Sequence, residues 1–146
     1  MPDFRNERIL EASPSAVFAA HRDPERLARW WGLEGFTNTF SVFEFAPGGK
    51  WIFVMHGSDG KDYPNESVFE AIEENARVLI DHVCEPLFKL DIRLHPHGTG
   101  TRVEWIMDFE NKTFAKSMES FLLSANEQNL DRLVAEVATR SPSEPK

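Results

Sequence analysis

The stretch Thr101 to Thr139, TRVEWIMDFENKTFAKSMESFLLSANEQNLDRLVAEVAT, changes its period part-way along. From residue 101 to 110, Val103, Trp105, Met107 and Phe109 alternate with Arg102, Glu104, Asp108 and Glu110. A period of two with one apolar side is a strand that buries one face. From Thr113 onward, Phe114, Met118, Phe121, Leu122, Ala125, Leu130, Leu133, Val134 and Val137 recur three and four residues apart. That spacing predicts one amphipathic helix reaching to about Thr139, with neither Gly nor Pro inside it. At 3.6 residues per turn it makes about seven turns. Such a helix is long enough to cover the apolar face of a sheet.

Upstream, the sheet itself is legible. Phe88, Leu90, Ile92 and Leu94 alternate with Lys89, Asp91, Arg93 and His95, which predicts a strand over 87–95. Trp51, Phe53 and Met55 point one way along a strand at 50–56, and Ile52, Val54 and His56 the other. Further strands are expected at 4–12, 37–46, 64–73 and 77–85. Pro47-Gly48-Gly49, Ser58-Asp59-Gly60-Lys61 and Pro96-His97-Gly98 are turn signals between them. Ser13-Pro14 and Asp23-Pro24 each place a capping side chain before a proline, and so open two short helices at 14–21 and 24–30. The predicted fold class is therefore α+β: a six- to seven-stranded curved antiparallel sheet wrapped on a long C-terminal helix, with two short helices after the first strand.

Composition limits what such a domain does. Its 146 residues fit a single domain, expected over 1–140, with the Ser- and Pro-containing end 141–146 read as a disordered tail. The net charge of −8 leaves no basic footprint for nucleic acid. No apolar run approaches the ~18 residues of a membrane span, so no membrane insertion is expected. One cysteine, Cys84, excludes an internal disulfide framework and fits a reducing compartment. With no signal-peptide layout at the start, a cytoplasmic location is expected. Twelve Phe and four Trp against one Tyr point to an interior walled by flat apolar rings.

An ordered set of short motifs adds to this reading. Ala12-Ser13-Pro14, Val17-Phe18, Asp23-Pro24-Glu25-Arg26-Leu27 and Trp30-Trp31-Gly32 come first. Pro47-Gly48-Gly49-Lys50-Trp51, Met55-His56-Gly57, Asn65-Glu66, Asp81-His82 and Asn126-Glu127-Gln128-Asn129-Leu130 follow in order. Together they resemble the activator-of-heat-shock-protein-ATPase homologue family of the START-like, SRPBCC superfamily, over about residues 5–137. The resemblance implies the helix-grip fold and a cavity between the sheet and the C-terminal helix. Glu73-Glu74-Asn75 departs from the Pro-Pro turn of many members, so that turn is expected to differ. The founding chaperone activators also carry a second, chaperone-binding domain; none is expected within these 146 residues, so the resemblance is not read as implying a chaperone function.

A ligand pocket is mostly apolar with a few placed polar groups. His82 alternates with Ile80 and Cys84, which puts an imidazole on the inner face, able to hydrogen-bond a ligand or act as a base. Glu66 and Asn126 are the candidates to join it in catalysis. The expected ligand wall is Trp30, Trp31, Trp51, Phe53, Met55 and Phe88, continued by Trp105, Met107, Phe121, Leu122, Asn126 and Asn129, with His82 among them. Each has a plainer alternative. His82 can be a satisfied core histidine, Glu66 a rim charge, the aromatics packing alone, and Asn126 and Asn129 tethers to a loop or strand end. Cys84 has no neighbouring cation in sequence to activate it, and His95-Pro96-His97 is too sparse for a metal, so no metal and no cofactor are expected.

Three functional classes fit these residues. The first is a binding protein for a small hydrophobic or amphipathic molecule. The second is a cofactor-free enzyme of the cyclase or dehydratase type, which requires His82 to meet Glu66 or Asn126. The third is an interaction module, a chaperone co-regulator or a homodimer, with Ile52, Val54 and Ile106 as an outward apolar patch.

Overall fold

The computed structural model describes residues 2–139; the expected tail at 141–146 lies outside the described residues. The chain runs β1 (Phe4–Leu10), α1 (Pro14–Arg22), α2 (Pro24–Trp30), β2 (Thr37–Phe43), β3 (Lys50–His56), β4 (Asp62–Glu73), β5 (Arg77–His82), β6 (Phe88–His97), β7 (Gly100–Phe109), α3 (Lys112–Ser117) and α4 (Glu119–Thr139). The seven strands form one antiparallel sheet in the order β1-β7-β6-β5-β4-β3-β2. The helix-grip α+β architecture read from the sequence is the one observed.

Local chemistry sets the elements. The Ser13 hydroxyl accepts from the Ala16 amide at 3.3 Å, and Pro14 occupies the first helical position of α1. Asp23 does the same for α2, accepting from Glu25 at 3.0 Å. Between β2 and β3, Gly49 is obligatory, because a Cβ there would lie 1.9 Å from the Glu44 carbonyl oxygen. The Glu73-Glu74-Asn75 turn closes with Asn75 at φ +62°, a conformation asparagine tolerates better than other side chains.

The expected single C-terminal helix is divided. Met118 departs from helical geometry at φ −106°, ψ 9°, and its amide is shared between the Phe114 and Ala115 carbonyls at 3.1 Å each. The Ser117 hydroxyl donates to the Phe114 carbonyl at 2.7 Å, a local bond that competes with the helical ladder. α4 then packs against β1, α1 and α2. The inner residues of β5, β6 and β7 meet α1, α2 and α4 in one continuous core.

Ile52 and Val54 lie on β3 and Ile106 on β7, with β4, β5 and β6 between them. They do not make the single outward patch on neighbouring strands that the sequence suggests, because β2 to β7 lie side by side in chain order and three strands therefore separate β3 from β7.

Candidate functional site

The corner Trp30-Trp31-Gly32 closes one side of the interior. α2 ends there. The Trp31 amide donates to the Leu27 carbonyl at 3.0 Å, Trp31 is extended, and Gly32 reverses the chain at φ +101°. A Cβ on Gly32 would meet the Met55 methyl at 2.7 Å. From α4, Asn129 donates to the Trp30 carbonyl at 2.8 Å and accepts from the Gly32 amide at 3.2 Å. Arg132 donates to the carbonyls of Arg29, Trp31, Leu33 and Phe36 at 2.6–3.1 Å. Two of these carbonyls have a second donor, Trp31 in the Asn38 side chain at 2.9 Å and Leu33 in the Phe36 amide at 3.0 Å, so Arg132 ties together a segment that is already bonded within itself. Asn129, expected in the ligand wall, is thus a tether of this corner.

The four tryptophans converge. Trp31 lies half-buried against Trp30, Trp51 and Trp105, with ring centroids 5.4, 4.9 and 5.5 Å away. Trp51 stacks on Phe53 at 4.3 Å and on Phe69 at 5.6 Å. Trp30 spends its indole N–H on the Ala20 carbonyl at 2.9 Å. The other two buried indoles do not: Trp51 is 1% and Trp105 2% exposed, and Nε1 of each has no hydrogen-bond partner. A buried donor left unpaired costs about 1–3 kcal/mol. Both of these donors belong to rings that pack against Trp31.

His82 is buried on the inner face of β5, stacked on Phe88 at 4.4 Å. Its Nδ1 donates to the Pro86 carbonyl at 2.8 Å. Its Nε2 lies 2.8 Å from Asn65 Oδ1 and 3.6 Å from Cys84 Sγ. Burial pushes the His82 pKa below the ordinary histidine range, against the upward pull of the Pro86 carbonyl. Glu66 does not join this group. Ser67 and Phe69 are buried on β4, so odd-numbered residues face inward there and Glu66 is exposed on the opposite side. Asn65 takes the place expected for Glu66. The sulfur of Cys84 accepts from the Glu66 amide at 3.4 Å, a neighbourhood that its sequence context did not reveal.

Asn126 sits elsewhere. Its amide donates to Asn6 Oδ1 at 3.1 Å and lies 3.3 Å from the Met107 sulfur. Asn6 in turn donates to Glu127 and to the Leu123 carbonyl. Asn126 therefore fastens α4 to β1 and β7, and the catalytic trio of His82, Glu66 and Asn126 is not assembled. Phe53 and Met107 are buried in the core, and Met55, Phe88 and Leu122 pack against its margin. Phe121 is turned out and 53% exposed. It lies about 100° around the helix from Leu122. The inner stripe of α4 instead includes Ala125, Asn126, Asn129, Leu130, Leu133, Glu136 and Val137.

The polar residues that sequence reading passed over are Asn65, Arg132 and the trio Arg26, Arg29 and Glu136. Glu136, 7% exposed, receives Arg26 Nε and Arg29 Nε at 3.0 Å each. Burial pushes the Glu136 carboxyl up, but the bonds from Arg29 and Arg26 hold it below the usual carboxylate range. Among the described residues, no group of three His, Cys, Asp or Glu side chains is placed to hold a metal ion, and no helix is long and apolar enough to cross a membrane.

Solved structures share this arrangement. A protein from Arthrobacter aurescens, solved by NMR, superposes with a TM-score of 0.85 at 26% identity, over 97% of this chain and 87% of that one. A protein from Nitrosomonas europaea matches with a TM-score of 0.84 at 18% identity, over 94% of this chain and 95% of that one. The AHSA1 protein from Silicibacter pomeroyi matches at 0.75 and 21% identity, over 94% and 98%. No curated protein matches the chain. Residues 11–138 match the family described as activator of Hsp90 ATPase homolog 1-like protein. The match takes in the Trp30-Trp31-Gly32 corner and both of the side chains on α4 that hold it, and the chain belongs to that family.

Proposed function

We propose that the protein binds a small, largely apolar molecule between the sheet and α4. The half-buried Trp31 forms one side of the site, and Trp51 and Trp105 are the donors to an acceptor on the ligand. One observation carries this reading: two fully buried indole N–H groups without partners, both on rings that pack against the half-buried Trp31. A carbonyl, carboxylate or sulfonate oxygen on an aromatic body would recover the lost hydrogen bonds while keeping the apolar contacts. Membership of a START-like family supports the same location. The reading treats the aromatic interior as a binding surface and assigns His82 no chemistry.

The test uses 1-anilinonaphthalene-8-sulfonate, an aromatic probe with acceptor oxygens, together with native mass spectrometry of the purified protein. Saturable one-to-one binding is expected. Trp51→Phe keeps an aromatic ring, though a smaller one, and removes the donor, and is expected to weaken the probe about tenfold, the equivalent of one good hydrogen bond. Absence of saturable binding to the wild-type protein, or unchanged affinity in both Trp51→Phe and Trp105→Phe, would overturn the proposal.

A further inference from the structure

A groove of about 580 Å³ lies at the end of the sheet where the β5–β6 connection faces the start of α3. Leu87, Phe109 and Phe114 give it an apolar floor, and Glu85 and Glu110 stand on its rim. The floor continues an aromatic ladder. His82 stacks on Phe88 at 4.4 Å, Phe88 meets Phe109 at 5.0 Å, and Phe109 meets Phe114 at 5.9 Å. None of the four tryptophans lines the groove.

Its walls are pinned. The Pro86 carbonyl is held by His82, and the Glu110 amide donates across the groove to the Leu87 carbonyl at 3.1 Å. The Phe109 amide donates to Asp3 at 2.7 Å, and Asn111 caps α3 by accepting from the Phe114 amide at 3.0 Å. A concave surface held this way needs little reorganisation to receive a ligand.

The charges around it are unbalanced. Lys112 is paired with Asp3 and Asp108, and Lys89 with Glu70, whereas Lys116, two residues past Phe114 on α3, makes no ion pair among the described residues. Glu85 and Glu110, together with Asp81 on the adjoining surface, make no ion pair among the described residues. Two carboxylates without an ion pair therefore overlook an apolar floor made by the half-buried Leu87 and Phe114 over the nearly buried Phe109. An apolar body covers that floor, a positive charge answers the rim, and the Phe114 ring adds its own attraction for a cation. An anion meets repulsion at the same rim. The net charge of −8 steers cations toward the molecule as a whole.

We infer that this groove is a binding site for a monovalent organic cation with an apolar body, an aryl- or alkylammonium, distinct from the interior between the sheet and α4.

Three probes with one body separate charge from hydrophobicity: 4-phenylbutylammonium, 4-phenylbutanol and 4-phenylbutanoate, titrated into the full chain and followed by amide chemical shifts. The ammonium is expected to bind about fivefold tighter than the alcohol, from two exposed charge pairs, with the carboxylate weakest. Its shifts are expected at residues 85–87 and 109–114, and its advantage to shrink as salt is raised to about 0.5 M. The double variant Glu85→Gln, Glu110→Gln alters exposed side chains only and is expected to bring the ammonium down to the alcohol. Trp51→Phe is expected to leave all three unchanged, so failure here and failure of the interior site read separately. Equal binding of alcohol and ammonium, no binding of any probe, shifts centred on the tryptophans, or an ammonium advantage that survives the double variant would each overturn the inference.

Discussion

Asn129 brackets Trp31: one side-chain amide bonds the carbonyl of the residue before it and the amide of the residue after it. The indole that meets Trp51 and Trp105 is thus set by a residue on α4, far away in the chain. Asn129→Ala leaves two buried backbone groups unpaired, so a loss of about 2–4 kcal/mol is expected in urea denaturation. Asn129→Asp can still accept from Gly32 but cannot donate to Trp30, and is expected to recover only part of the loss. Unchanged stability in the alanine variant would show that the corner holds without this tether.

Gly32→Ala combines two costs. The φ of +101° disfavours any side chain, and the new methyl would sit 2.7 Å from the Met55 methyl. A loss of about 2–3 kcal/mol is expected, of which about 1 belongs to the backbone. Adding Met55→Ala should relieve the contact and not the backbone term. The double variant is therefore expected to fall short of additivity, which a double-mutant cycle by thermal denaturation measures.

Glu136 keeps two guanidinium groups company in a nearly buried position, and Arg26 is itself buried. Glu136→Ala strands the Arg26 charge and is expected to cost about 3–5 kcal/mol. Arg29→Ala, which removes the more exposed partner, is expected to cost less. Equal losses in the two variants by chemical denaturation would contradict the ranking of the pairs by burial.

Stability is expected to fall on the acidic side in two stages. His21 is fully buried beside Trp30, 4.9 Å away, and burial lowers its pKa to about 4. Its folded value lies below its unfolded value, so the unfolded chain binds the extra proton first. Stability is therefore present above about pH 6.5 and is lost as pH falls toward 4, by about 3 kcal/mol from this residue alone. The lowered His82 acts in the same direction. The depressed carboxyls of Glu136, Glu104 and Asp91 add their loss only below the ordinary carboxylate range. His21→Leu is expected to flatten the first stage and leave the second, as read by denaturation midpoints at successive pH values.

The strands were readable because their two faces differ in chemistry: Leu90, Ile92 and Leu94 are buried as their alternation predicts. Glu66 is exposed, in keeping with the rim alternative for it, and the strand's phase points to a different residue as the partner of His82. Phe69 fixes which side of β4 faces inward, and counting back from it selects Asn65. On α4 the period of 3.6 gives a face but not a partner. Asn126 and Asn129 were correctly drawn to the inner side, where they bond Asn6 and Trp30 instead of a ligand. The break at Met118 involves neither Gly nor Pro, and rests on a hydroxyl-to-carbonyl bond that composition does not announce. The unpartnered indoles were out of reach altogether, since an absent partner is a property of the packed neighbourhood.

The strand order also carries a consequence for synthesis. β2 to β6 are joined to their neighbours in succession and can pair hairpin by hairpin as they leave the ribosome. β1 is made first, yet its pairing partner is β7. Until residue 109 has emerged, β1 has no strand to join, and the indoles of Trp30 and Trp31 wait with it for Trp105. The nascent chain therefore spends most of its translation with an unpaired strand and an uncovered aromatic corner, the kind of surface that is prone to aggregate. Pulsed hydrogen exchange during refolding is expected to protect the amides of β3 to β5 before those of β1.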